Sequence, residues 1–112
     1  MDDLFNRKLY EFVDDLVAIY PALNDLRVFK ASLYAVNMMD PGYSRRYFRE
    51  NFGIPFEKQI MARDEKFFLQ KDEYKDGDVN IVSRIKTLWV DMLPYNKDTV
   101  WKYMQVLVYL GR

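Results

Sequence analysis

Two missing residue types define what chemistry this chain could do. Its 112 residues include no histidine and no cysteine. That removes together the commonest general acid/base, the commonest transition-metal ligand and the thiol nucleophile. Catalysis would have to rest on Asp, Glu, Lys, Tyr or Ser. The sequence offers no nucleophile elbow, no glycine-rich phosphate loop and no metal-ligand spacing. With four glycines in all, close backbone approach to a cofactor phosphate is poorly provided for. The expectation is a protein that is not an enzyme and carries no cofactor or metal.

Three local segments carry the remaining chemical signals. In Asp72-Glu73-Tyr74-Lys75-Asp76-Gly77-Asp78, Asp72, Asp76 and Gly77 fall at positions 1, 5 and 6 of an EF-hand calcium loop. Position 3 would be Tyr74 and the bidentate acid at position 12 would be Ser83, so the ligand that clamps the ion is lost. A solvated acidic loop with Asp78 capping the next helix is the expected reading. Arg45, Arg46 and Arg49 alternate with Tyr43, Tyr47 and Phe48, a pattern that can track phosphates and stack bases. Three arginines are a small patch beside Glu50, and pairing with acids elsewhere accounts for them more simply. Arg63-Asp64-Glu65-Lys66 precedes Phe67-Phe68-Leu69. It reads either as a docking edge or, preferentially, as an Asp64-capped turn whose Phe pair plugs the core.

Charge is balanced, 17 basic against 17 acidic residues, so no global field favours nucleic acid or anionic lipid. Half of the residues are hydrophobic, which argues against general disorder. Nine Tyr, eight Phe and two Trp exceed what a core of this size easily absorbs, leaving rings at the surface for a partner. The lack of cysteine fits a reducing, intracellular compartment. The acidic, amphipathic start Met1-Asp2-Asp3-Leu4-Phe5 is unlike a secretory signal.

These residues must be positioned by helices. Phe5, Leu9, Phe12, Val13, Leu16, Ile19 and Tyr20 recur at three-and-four spacing behind an Asp2 or Asp3 cap, and Pro21 stops that run. A second helix is expected from about Asn24 to Met39, with Leu26, Phe29, Leu33 and Val36 inward. Asp40-Pro41 opens a third, ended by Gly53, and Pro55 starts a fourth with Phe56 and Ile60 on one face. Asp64-Glu65 caps a short turn. The fifth helix carries Ile81, Val82, Ile85, Leu88, Trp89 and Met92, and its tight period suits either core or a dimer seam. Packing of Trp89 with Trp101 in one monomeric core is favoured over that seam. The last helix, capped by Asn96 and closed by Gly111, is apolar almost all round through Val100-Trp101-Lys102-Tyr103-Met104-Gln105-Val106-Leu107-Val108-Tyr109-Leu110. Such a helix is normally buried on several sides, and it is too short to span a bilayer. The predicted architecture is all-α: one domain over residues 1–112, a compact bundle of five or six helices with a buried C-terminal helix.

Ile19-Tyr20-Pro21, Ile60-Met61-Ala62-Arg63-Asp64-Glu65-Lys66-Phe67-Phe68-Leu69 and Val100-Trp101-Lys102-Tyr103-Met104-Gln105-Val106-Leu107 together resemble small helical proteins of nucleocytoplasmic large DNA viruses of algae and amoebae. The resemblance implies a viral origin, a place in the virion or host cytoplasm, and a minor structural or virus–host adaptor role. It transfers no catalytic residues.

The function expected is therefore protein–protein contact with a viral or host partner, with self-association as a further option. The candidate surface is the segment 43–52 with the turn 63–69, using Tyr43, Arg45, Arg46, Tyr47, Arg49, Arg63, Asp64 and Glu65. Interfaces favour Tyr, Phe, Met and Arg of this kind. The alternative is a small nucleic-acid-binding domain using Arg45, Arg46, Arg49, Lys58 and Arg63.

Overall fold

The computed structural model describes residues 2–70 and 81–112. The Asp72 to Asp78 segment, with its calcium-loop reading and the Asp78 cap, lies outside the described residues. The described chain is all-α, in the order α1 (Asp2–Ile19), α2 (Asn24–Met39), α3 (Tyr43–Phe48), a π-helical turn (Arg49–Gly53), α4 (Ile54–Met61), α5 (Lys66–Leu69), α6 (Ile81–Leu88) and α7 (Pro94–Gly111). No described helix is long and apolar enough to cross a membrane.

α1 and α7, each 18 residues and hence about 27 Å long, form the central pair. The stripe expected on α1 is what it buries: Phe5, Leu9, Phe12, Val13 and Leu16 lie against α7's Val100, Met104, Leu107 and Val108 in one core. Phe12 stacks on Tyr103 at 4.8 Å. The helix ends one residue before Tyr20, as Pro21 requires. α2 covers α1, residues 43–61 cover the later part of α7, and α5 with α6 closes the opposite end.

Several boundaries differ from expectation. α3 starts at Tyr43 behind Gly42, so Asp40-Pro41 forms the turn before it rather than its cap and first residue. The chain stays helical through Gly53, which holds ordinary helical angles (φ −63°, ψ −48°) and does not stop it. It breaks instead at a kink on Phe56 (φ −126°, ψ 18°), directly after Pro55. Pro55 acts on the turn before itself. It lacks the N–H for an i−4 bond, and its ring would strike the carbonyl four residues back. The chain widens by one residue, Ile54 N–H bonding to the Arg49 carbonyl in the π pattern. Asn51 Nδ2 donates to the Tyr47 carbonyl at 2.8 Å beside this turn. α7 starts on Leu93 and Pro94, two residues ahead of Asn96, which is buried within the first turn and is no cap.

Phe67, Phe68, Trp89 and Trp101 make the aromatic end of the core. Phe68 stacks on Trp89 at 4.2 Å and meets Trp101 edge-on at 4.9 Å, while the two tryptophans pack at 5.4 Å and 79°. Each such pair adds about 0.5–1.5 kcal/mol beyond area burial. The fifth helix's period is thus spent inside the bundle. Trp89 and Met92 are buried in the turn after α6, beyond its last helical residue.

Candidate partner-binding site

The structure places the eight nominated residues in two groups at opposite ends of α7. Arg45, on α3, caps the end of that helix. Its Nε donates to the Leu110 carbonyl at 3.1 Å, its Nη2 donates to the Arg112 carbonyl, and Asp2 lies 3.6 Å away. A cation on the last carbonyls of a helix whose own last turn has none is a structural device. Arg46 pairs with Asp40, which also accepts from the Gly42 N–H at 3.1 Å and so fixes the turn into α3. The Arg46 guanidinium holds the Asp40 carboxyl below its ordinary range, with the Gly42 N–H adding to it. Tyr43 and Tyr47 lie with ring centroids 6.1 Å apart and half-buried, and Tyr47 meets Phe52 edge-on. Arg49 is half-buried, with its Cβ facing Gly111.

The second group serves the start of α7. Asp64 Oδ1 accepts from the Lys66 N–H at 3.0 Å, the cap expected for that turn. Arg63, with a left-handed φ of 52°, reaches Asp98 at 2.6 Å, and Glu65 pairs with Lys97 at 3.4 Å. Hydrogen bonds from Arg63 and then Lys102 hold the Asp98 carboxyl below its ordinary range. Phe67 and Phe68 are buried, so this segment plugs the core. Asp98 and Leu110 stand twelve residues apart on one helix, about 18 Å. The α7 contacts of the two charged groups are therefore well apart, while the 43–52 and 63–69 segments meet in the core, where Phe52 packs edge-on against Phe67 at 6.3 Å. Of the five basic residues considered for nucleic acid, Arg49 and Lys58 are the two without an ion pair among the described residues.

The face that sequence reasoning passed over is the outer side of α2. Its inner stripe, Leu26 and Leu33 with half-buried Phe29, packs as expected. Inner position 37 is polar: Asn37 Nδ2 donates to the Tyr10 hydroxyl at 2.9 Å, and Ser44 Oγ donates to Asn37 Oδ1 at 2.8 Å. That network ties α1, α2 and α3 together in the interior. On the far side, Val28, Ala31, Ala35, Met38 and Met39 recur at the same helical period and all are exposed, Met38 at 85% and Met39 at 90%. No charge interrupts this stripe. Arg27 and Lys30 flank it, Arg27 donating to the Pro21 carbonyl and Lys30 pairing with Asp14. The stripe ends at Asp40 and its partner Arg46, whereas Tyr43 and Tyr47 lie on the inner side of α2, lining a small cavity with Phe29 and Leu33. The signal was present in the sequence: α2 carries two apolar stripes, one more than a helix with one buried face requires.

Comparison with protein-family models, with curated proteins and with solved structures gives no match to this chain.

Proposed function

We propose that this protein works by protein–protein contact, without catalysis, and that its docking surface is the outer face of α2, with Arg46 at its C-terminal end. The observation that carries this reading is the uncharged exposed stripe Val28, Ala31, Ala35, Met38 and Met39. Contiguous exposed apolar surface marks interaction sites. A fully buried Val or Met side chain contributes about 1.5–3 kcal/mol relative to exposure, so the stripe holds considerable unspent stabilisation. Ala31 and Ala35 at its centre let a partner helix approach closely, while flexible methionines at its end adapt to the surface they meet. The motif resemblance to giant-virus proteins supports a partner in the virion or in the host cytoplasm.

The test is Ala35→Glu, which sets a charge at the centre of the stripe without touching the core. Partner binding is expected to fall at least about tenfold, the effect of about 1.4 kcal/mol, with urea-unfolding stability unchanged. Sedimentation of both chains separates the occupants. A native dimer dissociated by Ala35→Glu identifies the partner as a second copy. Unchanged binding of every partner refutes the α2 assignment.

A further inference from the structure

A second concave feature lies where the end of α1 meets the entry to α7. Ile19 and Tyr20 face Asp91, Leu93, Tyr95 and Asn96 across an open cleft of about 450 Å³. That volume is within the range of small-ligand sites. Leu93 and Tyr95 are well exposed on its wall. Asn96 is only 7% exposed, yet its side-chain amide has no hydrogen-bond partner among the described residues. This amide lines the cleft, where its polar atoms are open to solvent or an occupant.

The electrostatics select the sign of an occupant. Asp91 is exposed and holds no ion pair among the described residues. It lies near enough to Tyr20 that the phenol is raised above its ordinary range, by burial first and then by that carboxylate. The last turn of α1 has no basic side chain to offset its carbonyl ends. Arg27, the nearby cation, is held on the Pro21 carbonyl and lines a different groove, with Asp14 and Lys30. The start of α7 offers an anion little. Pro94 has no N–H, and those of Asn96 and Lys97 are already bonded to the Leu93 carbonyl at 3.0 Å each. Carboxylate, phenol rings and a free amide above apolar side chains suit a cation on an aliphatic stem.

We infer that this cleft receives a lysine or arginine side chain of the partner protein, its stem against Leu93 and Ile19 and its charged head among Asp91, Tyr20, Tyr95 and the Asn96 amide. The inference rests on the protein-contact reading above. It adds that the partner presents a basic residue, and places it at the end of the bundle where the α1–α2 turn begins.

The test is a nuclear magnetic resonance titration of the full ¹⁵N-labelled chain with blocked alanine-rich pentapeptides centred on lysine, arginine or norleucine, and with free n-butylamine. The Asn96 side-chain amide and Tyr95 backbone signals are expected to move saturably with the lysine or arginine peptide. The norleucine peptide, which keeps the stem without the charge, should bind about tenfold more weakly, the combined effect of an exposed ion pair and a cation–π contact. Asp91→Asn should weaken the basic peptides about threefold and leave distant signals in place. Equal binding of norleucine, still signals at Asn96 and Tyr95, or indifference to Asp91→Asn would each overturn the assignment. So would n-butylamine binding as tightly as the peptides, which would make the cleft a site for free amines. Ala35→Glu should leave these titrations unchanged, so failure of the cleft and failure of the α2 surface are told apart.

Discussion

α7 and α2 are built from similarly apolar sequences and meet opposite fates. α7 buries Val100, Trp101, Met104, Leu107, Val108 and Leu110, together with Asn96 and Gly111. Of α2's sixteen residues, Leu26, Leu33 and Asn37 are buried, and its outer stripe is left to water. The difference is position. α7 runs through the centre with α1, α3 and α4 around it, whereas α2 touches α1 and α3 on one side. Even α7 is not enclosed all round: Tyr95 and Tyr109 are 69% and 63% exposed. Apolarity says how much surface a helix would bury, and neighbours decide how much it does. A helix with apolar surface to spare at the edge of a bundle is one that something else can cover.

The sharpest way to break this contrast is truncation on the two helices. Trp101→Ala should cost about 3–5 kcal/mol in urea unfolding, since it removes a ring packed on Phe68 and Trp89. Met39→Ala should stay within about 0.5 kcal/mol. A comparable loss at Met39 would mean that α2's outer face is covered in the free chain. Asn37→Ala comes next, at about 1–3 kcal/mol, because the Ser44 and Tyr10 hydroxyls lose their buried partner. A neutral result would show that α2 is held by its leucines alone.

Smaller effects follow from the surface charges. The Tyr103 hydroxyl donates to Asp15 at 2.5 Å, and burial followed by that bond raises its pKa. A phenol raised on folding contributes stability that is complete below its unfolded pKa of about 10 and is lost as pH climbs toward the folded value. Tyr103→Phe should therefore flatten the alkaline fall in stability, checked by urea midpoints at pH 8, 10 and 11. The smallest change is at Asp98. Its depressed carboxyl contributes stability above its unfolded pKa of about 3.9, and that contribution disappears as pH falls through the folded value. Arg63→Gln should bring the Asp98 pKa back toward its ordinary value by carboxyl titration, with little change in stability at neutral pH.

The helices of this fold were legible because their punctuation is local. Pro21 ends α1, the Asp40 N–H closes α2 on the Val36 carbonyl, and Asp64 caps its turn, all through contacts within a few residues. The π turn was not, since a proline at 55 can start a helix or distort the turn of a continuing one, and local pattern does not choose between them. The site was less legible for a different reason. Arg45 and Arg63 look alike as exposed cations, and only the fold reveals that one caps α7 while the other braces its first turns. The α2 stripe was visible as periodicity, yet which of two stripes faces inward depends on α1 and α3. Asn96 resembles a helix cap in sequence and instead lines the cleft from within the first turn, because α7 begins at Leu93 and Pro94.

A photo-reactive phenylalanine analogue placed at Ala35 tests the outer face of α2 as docking surface most directly. The matched control is the same group at Ile54, an apolar side chain 70% exposed on α4. Irradiation in the native context should give a discrete crosslinked adduct from position 35, lost with Met39→Glu in the same chain, and none from position 54. Adducts that are the same from both positions, or that form at 54 while 35 stays uncrosslinked, would contradict the claim that α2 is the docking surface.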